Sequence, residues 1–113
     1  MSEAMESVSS SSLRSQGSLG PALVRRQGTE YGSIHQLDRH RRLGVGRANT
    51  NDIVIRDDGC SRNHAEVYWS GEAWMIQDLG SLNGTRVNEK KLEKPAVLKS
   101  QDVIRIGQTE YVF

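Results

Sequence analysis

Three short polar clusters, Gly46-Arg47, Ser61-Arg62-Asn63-His64 and Ser81-Leu82-Asn83-Gly84-Thr85, carry the chemistry of this chain. Together they hold a guanidinium fork, hydroxyls, a carboxamide and glycine-exposed backbone N–H groups, which is the donor set that binds a phosphate dianion. Arg47 follows a glycine, so a tight backbone can present its planar fork to two phosphate oxygens. Ser61 ends the turn Asp57-Asp58-Gly59-Cys60 and can offer both its hydroxyl and its N–H to one anion, with the charge of Arg62 beside it. Asn83 belongs to an Asn-Gly turn signal, and an amide at a loop tip can pair with the N–H and C=O of an extended peptide. Thr85 is expected to pack or bond within its own loop. His64 has two readings, a base for Ser61 or a neutral brace between loops. The brace is favoured, because no acidic partner, oxyanion loop or nucleophile elbow is evident near Ser61.

These clusters need a scaffold that presents loops. From Pro21 onward, short runs rich in Val, Ile, Tyr and Trp alternate with Gly, Asn and Asp clusters. The pattern predicts strands over Leu23–Arg26, Ser33–Leu37, Leu43–Gly46, Ile53–Arg56, Ala65–Trp69, Ala73–Gln77, Val103–Ile106 and Tyr111–Phe113. Ala65, Val67 and Trp69 fall on one face of their strand, and Ser70-Gly71-Glu72 reads as the turn of a hairpin. The best helical candidate, Asn88–Lys99, is interrupted by Pro95. Many short strands at close spacing imply an all-β sandwich or barrel. Residues 1–20, with the run Ser9-Ser10-Ser11-Ser12 and few apolar residues, are expected to form a disordered tail, leaving residues 21–113 as the folded unit.

Composition narrows the function classes. A chain of 113 residues supports one modest core. With 15 Lys+Arg against 14 Asp+Glu there is no global field to draw in nucleic acid or an anionic membrane, so anion recognition must be local. Arg39-His40-Arg41-Arg42 is basic but lacks interleaved aromatics, and reads as a solvated strand edge. No apolar run approaches the ~18 residues of a membrane span. His35, His40 and His64 lack the spacing of a zinc site, so neither metal nor cofactor is expected. Trp69 and Trp74 flank the hairpin as packing residues. Cys60 has no partner for a disulfide, consistent with a cytoplasmic location, and reads as a passive turn residue.

Gly46-Arg47, Ser61-x-x-His64-Ala65 and Ser81-x-Asn83-Gly84-Thr85, followed by Val87-Asn88 and Leu98-x-x-x-Asp102-x-Ile104-x-Ile106-Gly107, resemble the signature of the forkhead-associated (FHA) domain from about Pro21 to Phe113. The resemblance implies two twisted antiparallel sheets packed as a sandwich, with loops at one end binding phosphothreonine peptides. By position, Arg47 and Ser61 hold the phosphate, Arg62 assists or flanks it, and Asn83 holds the peptide backbone beyond the phosphothreonine. Gly46, His64, Gly84 and Thr85 support the loops. Three positions depart from the family pattern. Leu82 stands where a hydroxyl residue often adds a phosphate contact, and Glu89 and Gln101 replace glycines in turns remote from the site.

The resulting expectation is a non-catalytic signalling module whose partner is a threonine-phosphorylated protein, with a Ser/Thr kinase as a further possible partner. Residues 1–28 contain no threonine, so the module is expected to work in trans with the tail as a passive linker. Two rivals remain: an FHA-like scaffold without phosphate affinity, and a small hydrolase built on Ser61 and His64.

Overall fold

The computed structural model describes residues 20–27 and 31–113. The expected tail falls outside the described residues except for Gly20. Eleven strands are present among the described residues: β1 (Ala22–Gln27), β2 (Ile34–Gln36), β3 (Leu43–Gly46), β4 (Ile53–Val54), β5 (Ala65–Trp69), β6 (Trp74–Asp78), β7 (Arg86–Val87), β8 (Lys90–Lys91), β9 (Ala96–Val97), β10 (Val103–Ile106) and β11 (Thr109–Val112).

They form a five-stranded sheet in the order β9-β6-β5-β3-β4 and a six-stranded sheet in the order β2-β1-β11-β10-β7-β8. The expected all-β sandwich is present. One detail differs: β3 and β4 run parallel, pairing Val45 with Ile53 and Gly46 with Val54, whereas the other pairs are antiparallel. The chain from Arg47 to Asp52 therefore crosses over instead of folding back. That crossover carries Arg47, the first of the candidate donors.

Alternation builds the core. Val45, Ala65, Val67, Trp74 and Ile76 turn inward from one sheet, and Leu23, Ile104, Ile106 and Tyr111 from the other. The expected hairpin is present. Ser70 N–H donates to the Ala73 carbonyl at 2.9 Å across Gly71, whose φ of 104° suits glycine. At its base Trp69 and Trp74 meet edge to face, 5.7 Å between centroids.

Arg25 on β1 is 1% exposed and crosses the core. Its Nε donates to the Tyr111 hydroxyl at 3.0 Å and its terminal nitrogen to the Val54 carbonyl at 3.3 Å, so the guanidinium joins β1 and β11 to β4 in the opposite sheet. A buried charge is tolerated when it is hydrogen-bonded in this way. At the surface, the Arg39–Arg42 cluster is engaged with its surroundings. Arg39 stacks on Trp69 and Arg42 on Tyr68, while Arg42 also pairs with Glu66 and Arg41 with Asp52.

Candidate functional site

The sequence clusters converge at one end of the sandwich through backbone contacts. Arg47 N–H donates to the Ser61 carbonyl at 2.9 Å and Ala48 N–H to the Arg62 carbonyl at 3.1 Å, joining the β3–β4 crossover to the turn before β5. Gly46 permits this approach, since a Cβ there would stand 2.2 Å from the Arg62 carbonyl oxygen. Asn51 adds a clamp that the sequence reading missed, its Nδ2 donating to the Ala48 and Arg62 carbonyls at 3.0 and 2.7 Å.

His64 is fully buried and braces the second and third clusters. Its Nδ1 accepts from Ser61 N–H at 2.9 Å, and its Nε2 lies 2.8 Å from the Gly84 carbonyl. The first bond requires a bare Nδ1 and the second a protonated Nε2, which defines a neutral imidazole with its proton on Nε2. Neither nitrogen is turned to the Ser61 hydroxyl.

Asp78 organises the third cluster. Its carboxylate accepts from Ser81 N–H at 2.9 Å, the Ser81 hydroxyl at 2.6 Å and the buried Thr85 hydroxyl at 2.7 Å. Ser81 Oγ in turn accepts from Gly84 N–H at 2.9 Å. Ser81 and Thr85 thereby spend their hydroxyls on bonds within the loop. Gly84 sits at φ 86°, a conformation natural to glycine.

Asp57 performs a similar task in the preceding turn. It accepts from Gly59 N–H and Gln108 N–H, both at 2.7 Å, and so fastens the turn before Ser61 to the β10–β11 connection. Burial alone would raise both carboxyls. The hydrogen bonds outweigh it, and Asp57 and Asp78 are held below the ordinary 3.8. Cys60 lies between these loops, 2% exposed, with its thiol pushed up to about 11 by burial and by the nearby Asp57 charge.

The donors expected to meet a ligand are placed at the surface. Arg47 is exposed, and its Nε donates to the Cys60 carbonyl at 3.1 Å, which orients the fork. Ser61 Oγ accepts from Leu82 N–H at 3.0 Å and keeps its own proton to donate. Asn83 Nδ2 donates to the Gly59 carbonyl at 3.1 Å, leaving its carbonyl oxygen as an acceptor. Arg62 is exposed, and Leu82 is 87% exposed with an apolar side chain that supplies no donor. Beside Arg47 a depression of about 470 Å³ is lined by Arg47, Ala48, Asn49, Thr50, Arg56, Asp58 and Arg62. The sequence pattern marks Arg56 only as the end of a strand, which in the structure stops at Val54.

Among the described residues, no group of three or more His, Cys, Asp or Glu side chains could hold a metal ion, and no helix is long and apolar enough to cross a membrane.

The fold and the loop-borne cluster of donors define a β-sandwich recognition domain with its site at one end. The FHA domain family model matches residues 43–107, and the chain belongs to that family. It is 38% identical over 91 residues to an oxoglutarate dehydrogenase inhibitor of Corynebacterium jeikeium, covering 80% of this chain and 62% of the relative. It is also 38% identical over 91 residues to the glycogen accumulation regulator GarA of Mycolicibacterium smegmatis, covering 80% of this chain and 56% of GarA. The chain thus spans little more than half the length of these relatives. A chain solved in a structural and functional analysis of phosphothreonine-dependent FHA domain interactions superposes with a TM-score of 0.71 at 30% identity, covering 81% of this chain and 94% of the other.

Proposed function

We propose that residues 21–113 form a phosphothreonine-dependent protein-interaction module that acts in trans on a threonine-phosphorylated partner in the cytoplasm, a Ser/Thr kinase being one such partner. The observation that carries this reading is the pairing of Arg47 and Ser61. The Arg47 N–H to Ser61 carbonyl bond of 2.9 Å ties the main chains of the two residues together, and of the pair one carries an exposed guanidinium and the other a hydroxyl that still has its proton to give. In this reading Arg47 and Ser61 bind the phosphate, Arg62 adds charge, and Asn83 holds the peptide main chain. Leu82 borders the peptide without contributing a phosphate ligand.

The structure brings an acid to the His64 ring that the sequence did not reveal, Asp78 Oδ1 lying 3.8 Å from Nε2, but the hydrolase alternative also needs the ring to reach the Ser61 hydroxyl. Both imidazole nitrogens of His64 face the main chain, so the ring is not placed to take a proton from Ser61 Oγ. The module is therefore proposed to be non-catalytic. The remaining alternative, an FHA fold without phosphate affinity, is separated by titration calorimetry with one peptide in threonine and phosphothreonine forms. Binding of the phosphorylated form alone is expected, and equal or absent binding of both would refute the proposal. A phosphoserine version should bind about fourfold more weakly, the worth of one buried methyl group at about 0.8 kcal/mol.

A further inference from the structure

Arg56 is placed by alternation. Ile53 and Ile55 turn into the core at 1% and 0% exposure, which sends Arg56 outward. Ile55 N–H donates to the Gly46 carbonyl at 2.9 Å, setting Arg56 alongside the crossover that starts with Arg47. Its guanidinium makes one long contact among the described residues, to Asn49 Oδ1 at 3.4 Å. It lines the same 470 Å³ depression as Arg47 and Arg62, so three arginines face one carboxylate, Asp58. Asp58 has no ion pair with any of them among the described residues. Asn83 is hydrogen-bonded to the Gly59 carbonyl and is not part of the lining, which is drawn from the β3–β4 crossover, Arg56, Asp58 and Arg62.

We propose that this depression is a second anion subsite in which Arg56 selects an acidic side chain of the bound peptide, flanking the phosphothreonine. The inference rests on the phosphothreonine reading of Arg47 and Ser61. The acidic group is either a carboxylate or a second phosphate, since an arginine fork pairs with both. An exposed pair contributes little, so the expected gain is about two- to fivefold in affinity, shrinking as salt is raised.

The test is a scan with the intact chain. Nine-residue alanine-based peptides with a central phosphothreonine carry one aspartate, or one phosphoserine, at each flanking position in turn. Affinities are measured for the wild type, Arg56→Ala and Arg56→Glu. A gain at one or two neighbouring positions on a single side, lost in Arg56→Ala and reversed in Arg56→Glu, is the expected result, with affinity for the all-alanine peptide unchanged in Arg56→Ala. A larger gain for phosphoserine identifies a second phosphate as the ligand, and equal gains identify a carboxylate. A flat scan, or a gain that survives Arg56→Ala, overturns the subsite. If the all-alanine phosphopeptide still binds and loses binding in Arg47→Ala, that result leaves the primary site standing. If no phosphopeptide binds the folded chain, both readings fall.

Discussion

His64 holds Ser61 by its main chain: the imidazole Nδ1 accepts the Ser61 N–H at 2.9 Å, while the Ser61 hydroxyl turns to the Leu82 N–H at 3.0 Å. The serine side chain is thereby aimed, and it is not deprotonated. A second bond from His64 to Gly84 makes one buried ring the common support of two loops.

His64→Ala should therefore reduce stability and binding together. It removes two hydrogen bonds and opens a cavity at a fully buried position, a loss of about 2–4 kcal/mol. For a domain of this size that lowers the melting temperature by at least about 8 °C. A variant that melts like the wild type would show that His64 is not the brace.

Arg47→Ala should separate the two properties. An exposed side chain with one hydrogen bond to the Cys60 carbonyl has little share in stability, so the melting temperature should shift by no more than about 2 °C. Losing a charge-assisted bond to phosphate costs about 1.5–3 kcal/mol, a ten- to hundredfold loss of phosphopeptide affinity. Unchanged affinity by calorimetry would remove Arg47 from the site.

Gln101→Gly should stabilise the domain. Gln101 adopts φ 76° and Glu89 φ 72°, the left-handed region where a side chain costs about 1–2 kcal/mol. These are the two turn positions where the sequence departs from the glycines of the family pattern. Relief at Gln101, which lies away from the ligand donors, should raise the melting temperature by about 4 °C or more at unchanged affinity. A lower melting temperature would show that the turn holds no such strain.

Acid should loosen the loops through Asp57 and Asp78. Both carboxyls sit below 3.8 in the folded protein, so their contribution is complete above that value and is lost as pH falls through their lower folded values. Thermal melts from pH 7 to pH 2.5 should fall most steeply below about pH 4, and Asp78→Asn should flatten that limb. An unaltered acid limb in Asp78→Asn would contradict the assignment.

Cys60 should be inert in the folded state. A thiol pushed up to about 11 and only 2% exposed presents little thiolate, so iodoacetamide at neutral pH should label the native chain far more slowly than the chain unfolded in urea. Equal rates would place the thiol in solvent.

Strands with clean alternation were legible from sequence to the residue, as at Leu43–Gly46, Ala65–Trp69 and Val103–Ile106. The two-residue strands Arg86–Val87, Lys90–Lys91 and Ala96–Val97 were not, because a pair of residues carries no period and Lys90–Lys91 is wholly charged. The parallel course of β4 was hidden for a related reason: strand direction depends on pairing, which local pattern does not encode. In the site, the residues in short motifs were legible. Asp57 and Asn51 were not, since their roles depend on partners brought in by the fold, such as Gln108, 51 positions from Asp57. A carboxylate before Gly59 in a turn was the available signal for Asp57.

The pairing of β1 with β11 has a consequence for how the domain can be wired to other polypeptide. The β10–β11 connection abuts Asp57 at the ligand end, and Val112 pairs with Val24 further along the sheet. The start of β1 and the end of β11 consequently lie side by side at the pole opposite the binding loops. Two strand ends that are neighbours give the domain a single point of attachment, as a tool head has on its shaft.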